Sequence, residues 1–588
     1  MSDGSAGSGA GSNAGSGADS GDEARWGTFD CERTVLFVAR TVTTAIRLLE
    51  AWDLFRADFR VKVLFTINDT SRFSTGVAAL LRAAGVERIV PWPDVPETAC
   101  DLAVSASENI DFPAIACRTV VLPHGLGFNK YVPDVRGRGT RLAGLPPADA
   151  LRSGRVVVVL SHPEQEHQLR AACPEITGHT AVTGDPAYDR LLATTPLRGR
   201  YRRLFGTGNR RLILISSTWR SESQIGRWRT LPRQLLAELP ADEYLLAAVL
   251  HPNIWAWYGA PQVRTWFADA IEAGLVLVPP DKGWQAALVA ADQVIGDHGS
   301  MSLHAAALGK PLLLAAYGTE IVPGTPIDEL GRTAVRLDPG HGLREQLDKT
   351  FATHDPHRFD EITGRVFAHV DDSTRRLRDL LYRELGLTPP RTDPPLLRAA
   401  DPDVEPRPVT AFDVHTAFTA ATTITMVRYP RAARLPRAPT REFTRETTEG
   451  STEGSTVGTL GGVGGAIRHL IVDEEELNLR FTQSASVLTR RRETGLDAAA
   501  TWAAATLRDF PGAVLAAAGV PGGCLVLLRD KRRVTVAARE EVDPMVLASA
   551  VFTALPADRL TDGALTVLLG GREIHLSVSV TPPEDHAA

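Results

Sequence analysis

The 588-residue sequence predicts two consecutive α/β units with parallel sheets, followed by a small α+β module. Three features point there: unbroken apolar runs of strand length, helix-like segments between them, and a change of texture near residue 388. Strands that are apolar throughout belong to parallel sheets, where helices cover both faces and leave no side for polar residues.

The first unit runs from Thr34 to about Arg200. "TVLFVA" leads into the helical "TTAIRLLEAWDLF", and "VKVLFTIND" leads into "STGVAALLRAAG"; "DLAVSAS", "RTVVLPHG", "RVVVVLSH" and "TAVTGDP" follow. A second series starts near Arg210 with "RLILISSTW", "YLLAAVLHPN", "AGLVLVPP", "DQVIGDHGS", "KPLLLAAYG" and "TAVRLD". The helix "DSTRRLRDLLYRELG" is expected to close it near Gly386. Strand–helix alternation of this kind predicts two Rossmann-like halves, residues 29–202 and 203–388, with no internal sequence repeat.

The flanks read differently. Residues 1–28 are rich in Gly, Ser and Ala, with little to bury, and predict a disordered tail. Residues 389–466 read as a Pro-, Thr- and Gly-rich linker, with candidate strands in "VTAFDVHTAFTAATTITMVRYP". Residues 467–588 predict a small α+β domain built on the helix "DAAATWAAATLRDF" and strands in "CLVLLRDKRRVTVAA" and "EIHLSVSV". That module carries no catalytic constellation and offers at most a docking surface for a protein partner.

Composition narrows the function classes. The chain is 44% hydrophobic and 23% charged, with net charge −6 and pI about 6.2. Nothing in that balance favours nucleic acid. Five scattered cysteines without a CxxC pair fit a reducing compartment. No run approaches the ~18 apolar residues of a membrane span, and the N-terminus lacks a secretion pattern. The expected location is the cytoplasm, with peripheral attachment to the inner face of the membrane left open. Metal is not expected, because no histidine pair has ligand spacing and His162, Glu164, Glu166 and His167 read as a solvated helix start. No cofactor is expected.

In open α/β sheets ligands bind beyond the carboxyl ends of the strands, and the unusual polar residues fall there. "TVVLPHG" ends on His124 and Gly125, "VVVVLSHP" on Ser161 and His162, and "TAVTGDP" on Gly184 and Asp185. "LILISSTWR" ends on Thr218, Trp219 and Arg220, "LLAAVLHP" on His251, and "QVIGDHGS" on Asp297, His298, Gly299 and Ser300. Two halves facing each other bring both sets to one cleft.

The stretch "VIGDHGSMSLHAAALGKPLLLA" is read as strand Gln293–Gly296, loop Asp297–Gly299 and a helix beginning near Ser300–Ser302. Free N–H groups at a helix start favour an anion. Gly299 permits close approach, Ser300 and Ser302 offer hydroxyls, and His304 lies one turn in. Ser300 also reads as a helix cap, which does not exclude the anion role. His124 suits a general base for an acceptor hydroxyl. His251 is read either as a cation opposing phosphate charge or as a neutral hydrogen-bond partner of the nucleotide.

In order, "VLPHGLGFNKY", "VTGDPAYDRL", "LILISSTWRSES", "AVLHPN" and "LVAADQVIGDHGSMSLHAAALGKPLLLA" resemble the landmarks of the CDP-glycerol glycerophosphotransferases, the teichoic-acid polymerase-type enzymes. The resemblance covers roughly Thr34 to Gly386. It implies a GT-B fold, with an acceptor domain over 29–202, a nucleotide-donor domain over 203–388, and a role in making a cell-envelope polymer. It implies His124 as acceptor-activating base, His251, Ser300 and Ser302 at the donor diphosphate, and Thr218, Trp219 and Arg220 lining the cleft. His298 stands where that family has tyrosine, Gly299 replaces its first paired serine, and His304 replaces an acidic residue often found later in the motif. The Asp-to-GKP pattern is similar to that of UDP-N-acetylglucosamine 2-epimerases as well.

The function expected is transfer from a nucleotide-diphosphate-linked donor to a polyol or glycan acceptor, free or lipid-linked, without metal. The alternatives are a nucleotide-sugar glycosyltransferase or UDP-N-acetylglucosamine 2-epimerase-like enzyme, and an inactive nucleotide-binding regulatory protein.

Overall fold

The computed structural model describes residues 28–29, 31–133, 139–434, 466–556 and 559–583. The tail expected over 1–28 (Thr28 apart) and the low-complexity run 440–465 lie outside the described residues.

The first half holds β1 (Arg33–Ala39), β2 (Val61–Ile67), β3 (Ile89–Val90), β4 (Leu102–Ser105), β5 (Arg118–Val121), a short hairpin of β6 (Tyr131–Pro133) and β7 (Thr140–Leu142), β8 (Val156–Leu160) and β9 (Thr180–Val182). Seven of them form one sheet in the order β3-β2-β1-β4-β5-β8-β9, and the hairpin stands apart. Every pair in that sheet is parallel. All five residues of β8 are buried, as are the last five of β1, which is why these runs carry no polar alternation.

The second half repeats the scheme with β10 (Arg211–Ser217), β11 (Tyr244–Leu250), β12 (Val276–Val278), β13 (Gln293–Gly296), β14 (Leu312–Leu314) and β15 (Val335–Arg336). Their order is β12-β11-β10-β13-β14-β15, again all parallel. The sheet direction reverses between β10 and β13, and between β1 and β4 in the first half, so both crevices where such sheets take ligands are present.

The helix Ser373–Glu384, expected to close the second half, crosses back onto the first. Its stripe of Leu377, Leu380, Leu381 and Tyr382 packs with Phe37, Leu48, Leu54 and Phe55. Tyr382 donates to Asp58 Oδ2 at 2.8 Å, and Arg33 Nε donates to the Leu385 carbonyl at 2.9 Å. The amphipathic stripe was readable from the sequence, but the half it docks on was not.

The C-terminal region is a closed barrel of nine strands, finer in form than the α+β module read from the sequence. It comprises β16 (Ala411–Phe418), β17 (Thr423–Pro430), β18 (Ile467–Asp473), β19 (Val487–Arg490), β20 (Leu515–Val520), β21 (Gly523–Leu528), β22 (Arg533–Ala538), β23 (Gly563–Leu569) and β24 (Arg572–Thr581). The strands that lie within the 389–466 stretch, β16 and β17, are thus barrel staves. Burial alternates strictly along β17, as one inward and one outward face require. The helix Pro544–Ala554, buried at nine of its eleven residues, packs with the inward-facing Val414, Ile424, Val526 and Val567. Arg428 ties the barrel to the second half through Asp242, accepting its guanidinium at 2.6 and 2.9 Å. Among the described residues no helix is long and apolar enough to cross a membrane.

Candidate active site

β5 runs out through Leu122 into the loop Pro123–Lys130, and β13 runs out through Asp297 into the helix Ser300–Ala307; the two ends meet. Leu126 N donates to Ser300 Oγ at 3.2 Å. A Cβ placed on Gly125 would stand 2.9 Å from the same hydroxyl, so the loop has no room for a side chain there. Further along, Tyr131 N donates to the Glu320 carbonyl at 2.7 Å and Val322 N to the Asn129 carbonyl at 3.0 Å. These bonds form a β-bridge between Lys130 and Ile321, so the glycine-rich segment after His124 is stitched to the other half.

Lys130 was missed in the sequence. Its ammonium donates to Thr218 Oγ1 at 3.1 Å. Burial draws its pKa below the ordinary lysine value, against the opposing pull of Asp297 and Glu320. Glu108, just past β4, was missed too. It is buried, with Oε1 accepting from Arg141 and Asn109, both at 2.9 Å. Burial alone would raise its carboxyl, but His124 and then Arg141 hold it below the usual range. Both residues occupy strand-end or loop positions of the kind that marked the others. What hid them was that their partners are distant in sequence.

His124 is exposed, with Glu108 and His251 among its titratable neighbours. His251 caps the helix Pro252–Tyr258: Asn253 N donates to its Nδ1 at 3.1 Å, which places the ring proton on Nε2. Burial first, then Lys130 and His124, push its pKa down to about 3. Of the two states read from the sequence, the neutral one is present here. His298 is likewise neutral by its bonds, accepting from Gly318 N at Nδ1 and donating from Nε2 to Glu320 Oε1, both at 3.0 Å. Burial lowers its pKa.

Trp219 and Arg220 form the mouth. Phe73 from the first half meets the Trp219 ring edge-on at 4.9 Å, and Arg220 lies 5.3 Å over the same ring. Arg220 adopts φ +82°, a left-handed conformation rare for a residue with a side chain and common where a functional loop is held under strain.

Other expected site residues use their polar atoms internally. Asp297 is 1% exposed; its Oδ2 accepts from Thr218 N and Gln224 N at 2.8 and 2.9 Å, and its Oδ1 from Gly299 N at 2.9 Å. It fastens the stretch after β10 to the loop after β13, with both carboxylate oxygens engaged. Ser302 donates to the Asp297 carbonyl and fills the space that the missing side chain of Gly296 leaves. A Cβ on Gly299 would stand 3.5 Å from Thr218 at the neighbouring strand end. Gly184, at φ +87°, lies tight against the Ala368 carbonyl and Ser373, so it is a packing position between the crossing helix and β9. Asp185 and His304 form a buried pair that joins the two halves. Thr218, Arg220, His251, Asp297 and His298 are thus neighbours of Lys130, and Gly125 meets Ser300 between the halves, while Ser302, His304, Gly184 and Asp185 are bonded or packed elsewhere.

No family model and no curated protein matches the chain. Among solved structures, the wall teichoic acid polymerase TagF is similar at 13% identity over 60% of this chain and 89% of that one, with a TM-score of 0.41. MnaA of S. aureus with UDP is similar at 12% identity over 61% and 99%, with a TM-score of 0.38. A UDP-N-acetylglucosamine 2-epimerase is similar at 13% over 62% and 99%, with a TM-score of 0.36. Likeness this distant says nothing about the reaction. The class of protein defined by the chain's own topology is a pair of parallel α/β halves around a polar crevice, with a barrel appended.

Proposed function

We propose that the chain is a transferase acting on a nucleotide-diphosphate-linked donor, in the manner of a CDP-glycerol glycerophosphotransferase. The observation that carries this reading is that Lys130, on the same first-half loop as His124, reaches across to donate to Thr218 Oγ1 of the second half at 3.1 Å, beside the strand end that carries His251. In this reading His124 takes the proton of an acceptor hydroxyl, and the oxygen attacks the phosphorus that bears the glycerol group. The new P–O bond forms as the bond to the nucleoside monophosphate breaks. His251 donates its Nε2–H to the departing phosphate, and Lys130 supplies the positive charge there, so no metal is required in the scheme.

Ser300, Gly299 and Thr218 line the phosphate side, and Trp219 and Arg220 the mouth. His298 orients the Gly318–Glu320 turn. Asp297, Ser302, Gly184 and the Asp185–His304 pair shape the crevice without touching the donor. Admission of a diphosphate requires the Leu126–Ser300 and Lys130–Thr218 bonds to be exchanged for bonds to phosphate oxygens. The acceptor is a polyol or glycan hydroxyl, and the product a cell-envelope polymer made at the inner face of the membrane.

The test is a thermal-shift screen of the full chain against CDP-, UDP-, GDP- and ADP-linked donors, followed by turnover with the donor that binds. Stabilisation by CDP-glycerol or CDP-ribitol with transfer to a polyol supports the proposal. Stabilisation by a UDP-sugar alone redirects it to glycosyl transfer or epimerisation, and tight binding without turnover makes the chain a nucleotide sensor.

A further inference from the structure

A second space lies behind the His124 loop, beyond the carboxyl ends of β5, β8 and β9. It is a depression with about 700 Å³ of free space, the solvent at its open mouth included. One wall is the helix Val42–Trp52, the opposite wall is the crossing helix Ser373–Glu384, and the strap Pro395–Leu397 covers it. His124 does not line it, but Pro123 and Gly125 on either side do, so it adjoins the crevice described above from behind the loop.

Two observations define what it takes. Ser161, at the end of β8, lines the space; it is 2% exposed and its hydroxyl has no hydrogen-bond partner. Buried hydroxyls are ordinarily paired, so this one is set to meet a polar atom from outside. The lining's charges, in contrast, cancel among themselves. Arg47 pairs with Glu50 at 3.0 Å and with Asp185 at 3.1 Å, and Arg190 pairs with Glu50 at 2.9 Å. Two guanidiniums facing two carboxylates leave nothing for an ionic ligand, while Leu54, Leu377 and Leu396 offer apolar surface.

We propose that this space binds a small neutral molecule with an apolar body and a hydroxyl group. The hydroxyl pairs with Ser161 and the body lies against the three leucines. Because Arg47 Nε also donates to the Pro123 carbonyl at 3.4 Å, the bound molecule rests on the back of the loop that carries His124.

The test titrates the full chain with hexane-1,2-diol by ligand-observed NMR, with hexyl phosphate and hexylammonium as charged counterparts. The diol is expected to bind saturably, and Ser161→Ala to weaken it about five-fold, the worth of one hydrogen bond. Leu396→Glu, at a position 48% exposed and so free to change without unfolding the chain, is expected to weaken it at least as much. Non-saturable binding, binding unchanged in either variant, or tighter binding of a charged counterpart overturns the proposal. The titration uses no nucleotide, so a failed donor screen leaves its outcome untouched.

Discussion

His304 Nε2 lies 3.0 Å from Asp185 Oδ2, and the two residues come from different halves of the chain. The other ring nitrogen of His304 faces the Ser300 carbonyl at 3.0 Å. Both acceptors can only accept, so the ring donates from both nitrogens when both bonds are made. Arg47 completes the group at 3.1 Å from Asp185 Oδ1. Burial alone would raise the Asp185 carboxyl, but Arg47 and then His304 overcome it and hold the pKa at about 2.

A carboxylate with a depressed pKa adds stability that is complete above its unfolded value and lost as pH falls through the folded one. Asp185 therefore contributes about 2 kcal/mol that disappears between roughly pH 4 and pH 2. At neutral pH, Asp185→Asn should cost about 3 kcal/mol, because it leaves Arg47 and His304 buried beside a neutral amide. Urea unfolding of both proteins at pH 7 and near pH 2 checks this. The gap between them should narrow in acid, and an unchanged gap would contradict the ion pairing.

His124→Ala is expected to reduce turnover by about 10²- to 10⁴-fold, the span of general acid–base catalysis, and to leave donor affinity nearly unchanged. The residue is exposed and no structural bond depends on it, so the fold should survive. Kinetics paired with donor titration separate the roles: equal losses in both would make His124 a binding residue.

His251, with its pKa pushed down to about 3, should remain neutral throughout the range in which a free histidine titrates. Nitrogen-15 NMR of the unliganded chain should show one Nε2–H tautomer from pH 8 to pH 5. A resonance that shifts near pH 6.5 would mean that the ring is hydrated and takes up the proton that the desolvated geometry denies it.

The sheets were legible because burial on both faces leaves strands such as Val156–Leu160 with no polar residue to hide them. The cluster of polar strand ends was legible for the same reason, since a polar residue closing an apolar run stands out. Partner choice was not legible. His304 reads as a phosphate contact because sequence fixes only its height on the helix, whereas its pairing with Asp185, 119 residues away, is set by how the halves pack. Lys130 was hidden likewise, since the Lys130–Ile321 bridge joins segments that no local pattern connects. The barrel strands alternate as expected, but closure depends on β16 pairing with β18 across the long stretch between them.

Lys130→Met is expected to weaken donor binding by at least about ten-fold, since a hydrogen bond to a charged group is worth roughly 1.5–3 kcal/mol. Lys130→Arg restores the charge but as a planar fork in place of a compact ammonium, and should recover only part of the loss. The Lys130→Met protein should be no less stable than wild type, because burial already disfavours the ammonium. Calorimetric donor titrations and thermal melts of the three proteins check both points. Unchanged affinity in Lys130→Met would remove Lys130 from the proposed phosphate site.

Gly125→Ala tests whether contact between the halves at this point governs the reaction. The added methyl would meet Ser300 Oγ at 2.9 Å, closer than carbon and oxygen tolerate, and Gly125 has no positive φ to strain. The conflict therefore falls on the Leu126–Ser300 bond, whose 3.2 Å length leaves it easily broken. Losing that bond costs about 1–3 kcal/mol of stability, because the Leu126 N–H is left without its acceptor. The loop carrying His124 would move back from the helix start, and an ångström of misplacement can cost about 100-fold in rate. The expected variant is thus folded, binds donor, and turns over far more slowly. Melting curves within a few degrees of wild type, set beside single-turnover rates, check it; a rate equal to wild type would show that His124 does not act across this contact.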